Sequence, residues 1–131
     1  MANDTRHSPI HADDLPKPVG PYSPGVTLDR LILVSGQGGV DPVTHQLAGP
    51  DVESQTEQAL RNIAAILRAA GSDLSRVLRC GVFLIDINEF EKMNGVYRRI
   101  FGENRPARTT VQVSALPGTG LRVEIDAIAY R

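Results

Sequence analysis

Tryptophan is absent, and three tyrosines with three phenylalanines make up all the aromatic content. A chain so poor in large flat rings is ill suited to a stacking platform for single-stranded nucleic acid. Cationic runs are missing too: 14 Lys and Arg are spread against 15 Asp and Glu, for a net charge of −1. Phosphate backbones are held by clustered cations, so nucleic acid is not the expected partner. A single cysteine, Cys80, excludes an internal disulfide and suits a reducing compartment. No stretch approaches the roughly 18 apolar residues of a membrane span, and the opening residues are polar without an apolar leader core. The expectation is a cytoplasmic protein with no membrane partner. His7, His11 and His45 lie in an arm or a turn without ligand spacing, so no metal is expected.

What remains is ordinary globular material. At 131 residues the chain is one domain, of a size that buries about 65–70% of its unfolded surface without metal or disulfide. Residues 1–15 read as a flexible polar arm ended by Pro16 and Pro18, and residues 16–131 as the folded domain. Short strands are expected at residues 26–28 and 31–35, joined by a tight turn at Asp29 and Arg30. A glycine-rich stretch follows at Gly36, Gly38 and Gly39, but it lacks the lysine and hydroxyl of a phosphate loop. Val52, Thr56, Ala59, Leu60, Ile63, Ile66, Leu67 and Ala70 make a helical stripe in a helix that begins near Gly49 or Pro50 and stops at Gly71. Residues 77–85 read as a buried strand. A second helix, with Asn88 as its cap, carries Phe90, Met93, Tyr97, Ile100 and Phe101 inward.

The stretch 105–131 organises the rest. It alternates twice with a period of two and is broken by a Pro/Gly turn at residues 116–120, which predicts a hairpin. Such a hairpin would bring Arg108 and Glu124 to one side of a sheet, a cation and a carboxylate suited to a small acid. The predicted fold is α+β: a single two-layer domain, a mixed β-sheet with two helices packed on one face. The other sheet face would need a partner chain, so a homo-oligomer is expected.

In this order and spacing, several blocks carry a resemblance. They are Gly20, Pro21, Tyr22 and Ser23; Ser35, Gly36 and Gln37; Asp41 and Pro42; residues 58–63; Asn94 with Tyr97; Pro106, Ala107, Arg108 and Thr109; and Leu116 and Pro117 with residues 123–129. From about Pro18 to Arg131 the chain resembles the YjgF/RidA family of imine and enamine deaminases. The resemblance implies a homotrimer with sheets facing the centre and active sites in clefts between subunits. It implies hydrolysis of small reactive 2-imino and enamino acids to a 2-oxo acid and ammonia, with no cofactor. Larger enamines such as 2-aminomuconate, aminoacrylate, and a chaperone or RNA-related role are the alternatives within such a family.

The resemblance assigns Arg108 to the substrate carboxylate, a task that suits a planar guanidinium fork. It assigns Glu124 to the attacking water and its protons. On residues alone, Arg108 reads as a surface or inter-subunit ion-pair partner and Glu124 as an exposed strand charge. Tyr22, Ser35, Gly36, Asn94 and Thr110 are carried over as substrate-binding residues. Thr110 stands where many members have cysteine, which excludes a cysteine nucleophile there, and Gly38 and Gly39 stand where many have Ile-Pro, which leaves substrate range open. Asn94 interrupts the apolar stripe of its helix, where asparagine is a poor helix former, and this favours a specific hydrogen bond.

Overall fold

A computed structural model describes residues 6–131. Strands β1 (Ser8–Pro9), β2 (Gly25–Leu28) and β3 (Leu31–Gly38) are followed by helix α1 (Val52–Ala69), then by β4 (Val77–Leu84), α2 (Phe90–Phe101), β5 (Ala107–Gln112) and β6 (Val123–Tyr130). They form one six-stranded sheet in the order β1-β2-β3-β6-β4-β5. Only β4 and β5 run parallel. A parallel pair needs a crossover, and α2 provides it. The α+β architecture is as expected, with a mixed sheet and two helices.

The last two strands do not form the expected hairpin. β6 inserts between β3 and β4, while β5 lies at the edge beyond β4. Polarity explains the placement. The inner face of β6, Val123, Ile125, Ala127 and Ala129, is fully or almost fully buried, whereas β5 offers Arg108, Thr110 and Gln112 in the same layer. An apolar strand gains more from a central position than one carrying a charge and amides.

Local chemistry sets the helix limits. Asp51 caps α1, its carboxylate accepting from the Ser54 N–H at 2.9 Å, and Gly71 ends it in the left-handed region at φ +82°. Asn88 is not the cap of α2. Asp86 accepts from the Asn88 N–H at 2.9 Å and opens a short 3₁₀ turn, residues 87–89, that leads into the helix. Ile63, Ile66 and Leu67 of α1 and Met93 of α2 pack with Ile32, Val82 and Ile125 of the sheet in one core.

The segment expected as a loose arm is only partly so placed by its residues. Residues 1–5 of that expectation lie outside the described residues. Ser8 and Pro9 pair with Thr27 and Val26, and Ile10 and Leu15 are buried in the core. Two apolar residues among polar neighbours suffice to dock the segment, and Pro9 is tolerated because β1 is an edge strand. On the helix-free face of the sheet, Leu31 and Leu33 remain 45% and 43% exposed. No helix among the described residues is long and apolar enough to cross a membrane.

Candidate active site

Arg108 lies on β5 opposite Cys80 of β4, which in turn lies opposite Ala127 of β6. Partners in register share a face, so Arg108 points to the layer of the helices. Its Nη2 donates to Asn94 Oδ1 at 2.8 Å. Its guanidinium carbon is 4.7 Å from the Tyr97 ring centre and 5.5 Å from that of Phe90. Phe90, Asn94 and Tyr97 recur at helical spacing, so a single face of α2 holds the guanidinium by one hydrogen bond and two ring contacts. The specific bond expected of Asn94 is therefore made. Thr110 is two residues on, half-buried on the same face as Arg108. Arg108, Asn94 and Tyr97, together with Arg98, Arg105 and Pro106, border a cleft of about 260 Å³.

Behind Arg108, Cys80 and Tyr97 are buried. Burial pushes the Cys80 thiol up to about 11, so it is a core group and not a nucleophile. The Tyr97 hydroxyl is buried without a hydrogen-bond partner among the described residues, and its pKa is raised, chiefly by burial.

Glu124 lies opposite Phe83, three residues from Cys80 along β4. An odd offset in a strand reverses the face, so Glu124 points away from the helices. Gly36 leaves the room it occupies: a Cβ at that position would sit 2.8 Å from Glu124 Cδ. Glu124 is half-buried, and burial first, with the Asp126 charge second, raises its pKa above the ordinary carboxylate range. A carboxylate so placed is a more willing proton acceptor near neutrality than an exposed one. It borders a second cleft of about 220 Å³ that also takes in Tyr22, Gly36, Gly38, Pro117 and Leu121.

The remaining sequence candidates divide. Tyr22 is 50% exposed on the wall of the Glu124 cleft, its hydroxyl oxygen accepting from the Val19 N–H at 3.4 Å. The Ser35 hydroxyl donates to the Ser23 carbonyl at 2.7 Å and ties a turn to β3. Ser35 also lies within β3, not at its end, because the strand continues through the glycines to Gly38 past an irregularity between Val34 and Gln37. Gly38 and Gly39 are packing positions. A Cβ at Gly38 would meet Leu121 Cδ2 at 2.7 Å, and one at Gly39 would meet Gln55 Cα at 2.4 Å.

Two residues of the site were not singled out from the sequence. Gln55, fully buried on α1, donates to the carbonyls of Gly49 and Gly120 and accepts from the Arg122 N–H at 2.7 Å. Asn62 donates to the Val40 carbonyl at 2.9 Å. These amides suspend both walls of the Glu124 cleft from α1, and their signal was a polar side chain on the buried face of an amphipathic helix.

Arg108 and Glu124 therefore belong to opposite faces of the sheet, contrary to the expectation of one side. The insertion of β6 on the far side of β4 is the cause. One cleft thus offers a held cation and the other a half-buried carboxylate.

Comparison with known proteins places the sequence and the fold in one family. The sequence profile of the family described as Endoribonuclease L-PSP covers residues 12–131. A RutC family protein of Pyrococcus horikoshii is 46% identical over 93% of this chain and 96% of its own. The human 2-iminobutanoate/2-iminopropanoate deaminase is also 46% identical, over 88% of this chain and 84% of its own. Among solved structures, the Escherichia coli YjgF gene product superposes with a TM-score of 0.89 at 38% identity, covering 95% of this chain and 98% of its own.

Proposed function

This chain belongs to the YjgF/RidA family, and on that premise we propose that it hydrolyses small reactive 2-imino and enamino acids to 2-oxo acids and ammonia. The site is completed by two copies of the chain in a homotrimer, one giving Arg108 and the other Glu124. The observation that carries this reading is the pairing of functions across the sheet. Arg108 is held by Asn94, and Glu124 is half-buried with a raised pKa, yet they face opposite ways. The exposed Leu31 and Leu33 on the face of Glu124 supply apolar surface for a second copy to cover.

The chemistry asks little more of the chain. The substrate carboxylate bonds to the Arg108 fork, with Asn94, Tyr97 and Phe90 fixing its plane. Glu124 orients a water toward the carbon of the protonated C=N group and accepts one of its protons as the carbinolamine forms. That proton passes to the nitrogen, the C–N bond breaks as Glu124 takes the remaining hydroxyl proton, and ammonia leaves, carrying that proton away as ammonium, as the 2-oxo acid forms. Tyr22 and Gly36 shape the cleft on the Glu124 side, and Thr110 lies beside the carboxylate through its backbone. The imino acid is the only partner the reaction needs, and no cofactor enters it.

Purified protein is expected to accelerate ammonia release from freshly generated 2-iminobutanoate well above the spontaneous rate in a coupled assay. A rate indistinguishable from the uncatalysed one would remove the deaminase reading.

A further inference from the structure

The arginines that the sequence scatters are gathered by the fold. Arg98, Arg105 and Arg108 border the same cleft, with Asn94, Tyr97 and Pro106 completing its wall, and no carboxylate lines it. Among the described residues none of the three has an acidic partner, in contrast to Arg99 and Arg61, both on Glu57 at 3.3 Å, and to Arg122 on Glu89. Arg105 is steadied by donating to the Gly102 carbonyl, and Arg108 by donating to Asn94. Arg98 lies one helical turn beyond Asn94 on α2. Three guanidinium groups brought together without an anion repel one another, and an anionic ligand relieves that repulsion. A cation in the last turn of α2 favours the helix dipole, but that role needs neither Arg105 nor a shared cleft.

We infer that this cleft recognises a second anionic group on the substrate, so that the chain prefers dicarboxylic 2-imino acids to monocarboxylic ones. The inference rests on the deaminase reading for its first contact: Arg108 takes the carboxylate beside the C=N carbon. Arg98 and Arg105 take the distal carboxylate. Four residues of helix separate Asn94 from Arg98, a rise of about 6 Å, comparable with the distance between the carboxylates of a short diacid. A polymer such as RNA is disfavoured, since three cations in a small cleft on a chain of net charge −1 offer no track for a phosphate backbone.

The test is calorimetric titration of the intact protein with two stable product analogues, 2-oxobutanoate and 2-oxoglutarate, and with inorganic phosphate. Wild type is expected to bind 2-oxoglutarate at least about tenfold more tightly than 2-oxobutanoate, the value of one additional charge-assisted contact. In the Arg98→Ala/Arg105→Ala variant that preference should collapse to within about twofold. Both side chains are exposed, so the variant should fold. Equal affinities in wild type, a preference that survives the double substitution, no binding of either oxo acid, or phosphate binding as tightly as 2-oxoglutarate would overturn the inference. Turnover of 2-iminobutanoate is scored separately. Turnover without a diacid preference removes this inference alone; a preference without turnover of any imine removes the reaction and leaves the anion cleft.

Discussion

Arg108→Ala is expected to lower kcat/KM for 2-iminobutanoate by roughly 10- to 100-fold, because hydrogen bonds to charged groups contribute about 1.5–3 kcal/mol. Most of the loss should appear in KM, since the carboxylate is bound alike in ground state and transition state. The side chain is fixed on three sides by Asn94, Tyr97 and Phe90, so its orientation is set before substrate arrives. Arg108→Lys is expected to fall between the two, keeping the charge while losing the fork and the ring stacking. Stability should change little, because Arg108 is only half-buried and forms no ion pair among the described residues. A variant with unaltered kcat/KM and a lower melting temperature would make Arg108 a packing residue.

Glu124→Gln is expected to act on the other parameter. Loss of a positioned base lowers kcat by about 10²- to 10⁴-fold, with KM nearly unchanged. The same substitution should raise the melting temperature at neutral pH. Burial and the Asp126 charge raise the Glu124 pKa in the folded chain, whereas the unfolded chain keeps an ordinary glutamate. The folded chain thus holds its proton to higher pH than the unfolded one. Stability from this group is greatest below the ordinary carboxylate range, declines as pH rises through the raised value, and is at its lowest above it. Glutamine carries no such penalty, so the stability gain should be seen at neutral pH and vanish in acid. Wild-type kcat should show an acid limb displaced upward from the ordinary glutamate range. Thermal melts and kcat profiles across pH check both halves, and a variant that loses stability at neutral pH would contradict the assigned burial cost.

Much of this architecture could be read from local pattern. The alternation of residues 123–130 is kept residue for residue in β6, with Val123, Ile125, Ala127 and Ala129 inward and Glu124 and Asp126 outward. The apolar stripe of α1 and its end at Gly71 also follow directly from spacing. Asn94 was legible because a poor helix former in an apolar stripe calls for a partner, and Arg108 is that partner. Strand neighbours were not legible. Nothing local to residues 105–131 says that β6 inserts between β3 and β4, so the face relation of Arg108 and Glu124 was misread. The same holds for Arg98 and Arg105, whose common cleft exists only once α2 crosses back to β5. Ile10 and Leu15 were passed over because two apolar residues in a polar segment show no period; Ile10 packs where Gly25 of β2 leaves room beside Ile66 of α1.

The central claim is that no single chain contains a whole site. Its most direct test is to unfold Arg108→Ala and Glu124→Gln proteins together, refold the equimolar mixture, and measure turnover of 2-iminobutanoate. In a closed ring where each site takes Arg108 from one subunit and Glu124 from the next, random mixing leaves about a quarter of the sites with both residues intact. The mixture should therefore recover about a quarter of wild-type activity, far above either variant refolded alone. A mixture no more active than the two variants apart would mean that both residues serve one substrate within one chain, and the shared site would be wrong.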